Sequence, residues 1–229
     1  MTFTEILTQM WEIFIKFYLG AGLLWTGIGY TLLLSAIAVL SGTILGSLAA
    51  LAKRSRFKVV NGIVTAFVEV LRGTPALLQL YIAYFIIPMI LKAPGMSPFT
   101  CVAIALSLNS AAYVSEIIRS GINAVDKGQT EASRALGMTS RTTMTSIVLP
   151  QAVKNILPAL GNEFITVIKE TSLASTFFVG ELMTTYQVIK GVTFNAIPTL
   201  MDIGIFYFVL TFSLSKLLGL FERRMKKRA

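Results

Sequence analysis

The sequence contains no histidine. Imidazole is the usual general base and metal ligand near neutral pH, so histidine-based triads and metal centres are excluded. There is one cysteine, Cys101. It cannot form an intrachain disulfide, no C-x-x-C pair accompanies it, and it reads as a small buried hydrophobe. Charge is scarce, at 14 % of residues, against about 25 % in a soluble domain. No G-x-x-x-x-G-K-[ST] phosphate loop occurs, so the chain itself carries no ATPase site of that kind. The first basic residue is Lys16, and without a short basic n-region no cleavable signal peptide is expected. No second domain, long linker or low-complexity tract is visible, and residues 1–229 read as a single transmembrane domain.

What the chain has is apolar surface. Hydrophobic residues make up 55 % of 229, with a mean hydropathy of +0.74. That composition points to lipid as the solvent, and the length suits about five or six spans. Net charge is +9. The basic residues fall in clusters between long apolar runs, which is the pattern of cytoplasmic loops and not of a nucleic-acid surface.

The spacing predicts spans at Leu23 to Ala52, Val59 to Ile87, Phe99 to Ile118, Ile147 to Ile168 and Ile197 to Leu220. The aromatic and acidic start, from Phe3 to Trp25, suits the membrane interface ahead of the first span. Gly42 and Gly46 form a small-xxx-small pair, read either as a close-approach face or as ordinary glycine content. Three basic clusters divide the chain: Lys53 to Lys58, then Arg119, Lys127, Arg134 and Arg141, then Arg223, Arg224, Lys226, Lys227 and Arg228. The positive-inside rule puts all three in the cytoplasm, with the N-terminus out and the C-terminus in. Glu170 to Asn195 reads as an outer loop with a short re-entrant piece. Within the second span Arg72-Gly73-Thr74-Pro75 predicts a break or kink. It serves packing alone, or it frees backbone groups beside a pathway. Glu69 and Arg72 are spaced to pair on one helix face.

The segment from Arg119 to Ser146 is more ordered than a plain connection requires. Asp126 suits a helix cap, with Gln129 as its reciprocal partner. Glu131-Ala132-Ser133-Arg134-Ala135-Leu136 favours helix, Gly137 suits the left-handed residue that ends one, and Thr139 suits the next cap. A short helix of small residues either seats in a groove of another protein or lies unpartnered at the interface.

Glu131-Ala132-Ser133, then Gly137, then Ile147, Leu149 and Pro150 resemble the EAA motif of permeases in ABC importers. Ser133 replaces the third alanine. Further blocks resemble the polar amino acid subfamily: Arg72-Gly73-Thr74-Pro75, Leu106-Ser107-Leu108-Asn109, Ala112 to Glu116, Leu149-Pro150-Gln151-Ala152, Asn162-Glu163-Phe164-Ile165 and Lys169 to Leu173. The resemblance implies an all-α polytopic fold with a five-helix permease core over residues 22–225 and a cytoplasmic coupling helix over 126–137. It also implies that Glu131, Ala132, Ser133, Arg134, Leu136 and Gly137 couple the chain to an ABC ATPase. The partners implied are two copies of that ATPase, which binds ATP and magnesium, and a second permease, identical or paralogous. An extracytoplasmic solute-binding protein completes the set. The implied task is amino acid import across a bacterial cytoplasmic membrane, with no catalysis and no cofactor in this chain.

The fourth span carries a polar stripe of Asn155, Asn162, Glu163, Thr166, Lys169 and Glu170. Charges inside a membrane cost roughly 2.5 to 3.5 kcal/mol each, so they face water, protein or cargo. With Ser107 and Asn109 of the third span they form the expected substrate pathway, Glu163 receiving an ammonium and Asn162 or Lys169 a carboxylate. Subunit-interface packing is the plainer use of the same stripe. On the residues alone, a carrier driven by an ion gradient through Glu163 and Glu170 stays open as an alternative, as does a channel-like protein.

Overall fold

The structure is a computed structural model that describes residues 2–227, with side chains to 225. Arg228 of the last basic cluster lies outside the described residues, as do the side chains of Lys226 and Lys227. Among the described residues every regular element is helical.

A first helix, α1 (Phe3–Ile13), opens on a reciprocal cap between Thr2 and Glu5 and runs into a π-helical stretch at Phe14–Gly20. The long helix α2 (Leu23–Ala52) follows, within the bounds expected for the first span. The second expected span is two helices. α3 (Lys58–Gly73) and α4 (Ala76–Ile90) meet at an elbow of 112°. Next come α5 (Pro98–Asn123), the short α6 (Lys127–Ala135) and α7 (Ser140–Thr143), and then α8 (Leu149–Glu170). A 3₁₀ turn at Thr171–Phe177 and α9 (Leu182–Thr193) lead to α10 (Ala196–Lys227). Thus the outer loop expected between Glu170 and Asn195 is mostly helical.

Among the described residues three helices are each long and apolar enough to cross a membrane: α2, α5 and residues Ala196–Met225 of α10. Their mean hydropathies are 2.1, 1.6 and 1.8. The bent pair adds a broken span. α8 has the length of a span, about 33 Å at 1.5 Å per residue, but Lys154, Glu163, Lys169 and Glu170 lower its hydropathy.

α5 is the axis of the bundle, and side-chain pairs fix the direction of its neighbours. Ser41 bonds Ser107 and Lys53 bonds Glu116, so α2 runs parallel to α5. Arg72 at the end of α3 approaches Glu116 and Gln79 at the start of α4 meets Asn109, so the chain through the break runs antiparallel to α5. Ser110 meets Glu163 and Gly121 meets Ile156, so α8 is antiparallel as well. The basic ends of α2 and α5 and the start of α8 therefore share one end of the bundle. Apolar packing around Leu34, Leu80, Val102, Leu106 and Val167 fills the centre. A second cluster, with Tyr18, Leu182 and Ile203, joins α9 and α10 to the N-terminal segment.

Candidate functional site: the broken helix, the polar helix and the capped helix

The break is built from backbone outward. Thr74 and Pro75 are both extended, so α3 ends and α4 starts without shared hydrogen bonds. Carbonyls freed in this way need partners in a membrane. Gln79 supplies them: its Nε2 donates to Leu71 O (2.7 Å), Thr74 O (3.2 Å) and Thr74 Oγ1 (2.9 Å). Its Oε1 accepts from Asn109 Nδ2 at 2.8 Å. Asn109 is 3 % exposed, and its Oδ1 has no hydrogen-bond partner. Arg72 does not pair with Glu69. Its guanidinium lies 5.7 Å from the Tyr113 ring and 3.9 Å from Glu116 Oε2. Tertiary partners on α5 outcompete the local one, and Glu69 is left exposed. Glu116 also binds Lys53 at 2.6 Å and Arg119 at 2.7 Å, tying α2, α3 and α5 together at the basic end.

α3 makes little of the crossing. Asn61 and Thr65 share a recess with Ile118 and Ile122 of α5, and Arg72 has advanced only to Tyr113 and Glu116. The crossing as far as Asn109 and beyond belongs to α4.

The expected pathway residues fall on different surfaces. Ser107 is buried; it donates to Ala103 O and accepts from Ser41, and so joins α2 to α5. Glu163, 8 % exposed, accepts from Ser110 Oγ at 3.0 Å and faces α5. Asn162, Thr166 and Lys169 recur at i, i+4 and i+7 on the exposed side of α8. Glu170 is half-buried where α8 passes into the 3₁₀ turn. Glu163 therefore does not share a face with Asn162 or Lys169, and the zwitterion pairing read from the stripe is not assembled within this chain.

At the basic end, Asp126 caps α6 by accepting from Gly128 N at 2.6 Å. Gln129 does not return a reciprocal side-chain bond to the cap; it lies 3.5 Å from Gln151. Ser133 is buried, its hydroxyl bonded to Gln129 O at 2.6 Å. Glu131, Ala132, Arg134 and Leu136 are exposed, Leu136 to 84 %. Gly137 has φ +84°, a left-handed residue that ends the helix, and Arg134 Nη1 donates to Met138 O. Thr139 caps α7 through Thr142 N.

Two features escaped sequence reasoning. Gln79 is the one amide in the apolar run of α4 and stands four residues after Pro75, a signal that was available. Glu181 gave no local signal. It is fully buried, accepts from Met183 N, Thr184 N, Thr184 Oγ1 and Tyr207 OH, and anchors α9 to α10. Among the described residues no group of three metal-ligating side chains converges.

An apolar bundle held by buried polar pairs, with a capped helix exposed at its basic end, defines a membrane-embedded permease. Residues 42–227 match the family described as binding-protein-dependent transport system inner membrane component. The chain belongs to that family. It is 42 % identical over 200 residues to the arginine transport system permease protein ArtQ of Bacillus subtilis (strain 168), covering 87 % of this chain and 91 % of that one. It is 36 % identical over 204 residues to the glutamine transport system permease protein GlnP of Escherichia coli (strain K12), covering 89 % and 93 %. A solved amino acid ABC transporter crystallised with histidines superposes with a TM-score of 0.87 at 42 % identity, covering 92 % of this chain and 98 % of that one. An inward-facing methionine ABC transporter, MetNI, shares the fold at 18 % identity and a TM-score of 0.70, with 90 % and 97 % covered.

Proposed function

We propose that this chain is the permease subunit of an ATP-driven importer that moves a polar amino acid into the cell. The observation that carries this is α6 in its setting. A helix of nine residues is capped at both ends at the basic rim, and its outer face of Glu131, Ala132 and Leu136 is exposed. That face is the surface offered to a separate ATPase, while the buried Ser133 marks the inner face. Family membership favours ATP drive over an ion gradient. Relatives named for arginine and glutamine support a polar amino acid as cargo.

Two ATPase copies would bind ATP and magnesium, and an external binding protein would deliver cargo to a pair of permeases, identical or paralogous. The basic ends lie in the cytoplasm of a bacterial inner membrane, with the N-terminus outside. ATP binding closes the ATPase pair, α6 moves with it, and the bundle rocks between inward- and outward-open states. Asn162, Thr166 and Lys169 present a polar surface that lipid would not tolerate, so they face the pathway or the second permease. Asn109 has a free side-chain carbonyl beside the break, and the buried Glu163 faces α5.

The test is uptake of labelled arginine and glutamine into proteoliposomes holding the complete assembly. Uptake that requires ATP inside and survives an uncoupler is expected. Uptake that survives ATP depletion but collapses with the uncoupler would replace this reading with the gradient-driven one.

A further inference from the structure

Arg54, Arg134 and Arg141 converge on a recess of about 450 Å³ between the end of α2, α6 and α7. Among the described residues none of the three forms an ion pair, whereas Lys53 and Arg119 nearby both pair with Glu116. No carboxylate lines the recess. Thr143 does line it, is 2 % exposed, and its hydroxyl has no partner. A buried hydroxyl without a partner is costly, and three uncompensated guanidinium groups repel one another. An anion with several acceptor oxygens relieves the repulsion.

Arg54 also stands at the end of an apolar groove of about 290 Å³ between α2, α5 and α8. Its walls include Leu51, Ile118, Ile122, Leu149 and Val153, and Leu149 and Val153 are exposed. The groove lies along helices at membrane depth, and the arginine recess lies at its cytoplasmic end. A polar, anionic head joined to an apolar chain has that shape and that charge order.

We propose that recess and groove together hold one anionic phospholipid of the inner leaflet, its phosphate on Arg54 and Arg141 and an acyl chain in the groove. An acidic protein surface would need the recess but not the groove. It would also meet the exposed Leu136, which lies across α6 from Arg134. The lipid would bridge the end of α2 to the base of α6, so the bilayer's composition would act on the segment that carries force.

The test is native mass spectrometry of the full chain released from detergent, titrated with dioleoylphosphatidylglycerol or dioleoylphosphatidylcholine. One tightly held phosphatidylglycerol per chain is expected, with phosphatidylcholine held far less. Removing two arginine charges at a membrane surface should weaken it roughly thirtyfold, so Arg54→Gln/Arg141→Gln should lose it. Arg54→Lys/Arg141→Lys should keep most of it, and Arg223→Gln/Arg224→Gln, an equal charge change elsewhere, should keep all of it. Val153→Trp should weaken it by filling the groove. Equal retention of the two lipids by the unmodified chain overturns the proposal without recourse to any variant. So does displacement by glycerol 3-phosphate with Val153→Trp inert, which would mark a free-phosphate site. Loss of the ATPase from Arg54→Gln/Arg141→Gln while the lipid stays would mark a protein contact instead.

Discussion

Gly46→Ala should loosen the bundle at its axis. A Cβ at Gly46 would lie 2.7 Å from Ala111 O and 2.8 Å from Val114 Cβ. A carbon beside a carbonyl oxygen needs about 3.3 Å. The oxygen belongs to the backbone of α5 and cannot rotate away, so α2 and α5 must part by about 0.6 Å or strain equivalently. Overpacking of this kind costs roughly 1–3 kcal/mol, and alanine's higher helix propensity returns about 1 kcal/mol. The same movement stretches Ser41–Ser107 and Lys53–Glu116, which lie on this interface at 2.7 and 2.6 Å and contribute about 1 kcal/mol each. The net expectation is a loss of about 2 kcal/mol. Gly29→Ala is the control in the same helix, because nothing lies within 4 Å of its added Cβ. It should be neutral or stabilising by up to about 1 kcal/mol. Thermal melts of both variants in one detergent decide the matter. If Gly46→Ala melts as high as Gly29→Ala, the close approach of α2 and α5 is wrong.

Glu181→Ala would strand Met183 N, Thr184 N and the Tyr207 hydroxyl in a buried site; a loss of roughly 2–4 kcal/mol is expected by the same melts, and one under about 1 kcal/mol would refute the network. Gln79→Leu keeps the bulk of the side chain but removes the donor to Leu71 O and Thr74 O. Spin labels at Ile63 and Ile86, one on each arm of the elbow, should then give a broadened distance distribution, and an unchanged one would show that Gln79 does not hold the bend. Gly137→Val places a β-branched residue at φ +84°, a strain of roughly 1–3 kcal/mol. The chain should still insert, while ATPase copurification falls; normal copurification with normal transport would remove α6 from the coupling role.

The first span and α6 were legible because their signals are local. Thirty uncharged residues from Leu23 to Ala52 end on a basic cluster, and Asp126, Gly137 and Thr139 punctuate the capped segment by backbone chemistry alone. The direction of the elbow was not legible. Gly73, Thr74 and Pro75 announce a break, but its 112° turn is set by Gln79 and Arg72 reaching α5. Pairing Glu69 with Arg72 failed for the same reason, since spacing on one helix says nothing about a carboxylate on another. The stripe on α8 spreads over several faces of its helix. Residue type therefore identified Glu163 as costly in lipid without telling that it turns to Ser110, away from Asn162 and Lys169.

α5 holds each neighbour by a different polar pair: α2 through Ser107 and Glu116, α4 through Asn109, α8 through Ser110. Lipid tails give apolar helices no reason to stay together, so such pairs and close glycine contacts decide which helices travel as a unit. The four helices then form one solid block, and rearrangement during a transport cycle is left to its margins. At that margin α9 and α10 are tied to each other by Glu181 and Tyr207 and to the N-terminal segment by the cluster around Tyr18 and Ile203, so they travel as a second unit beside the block.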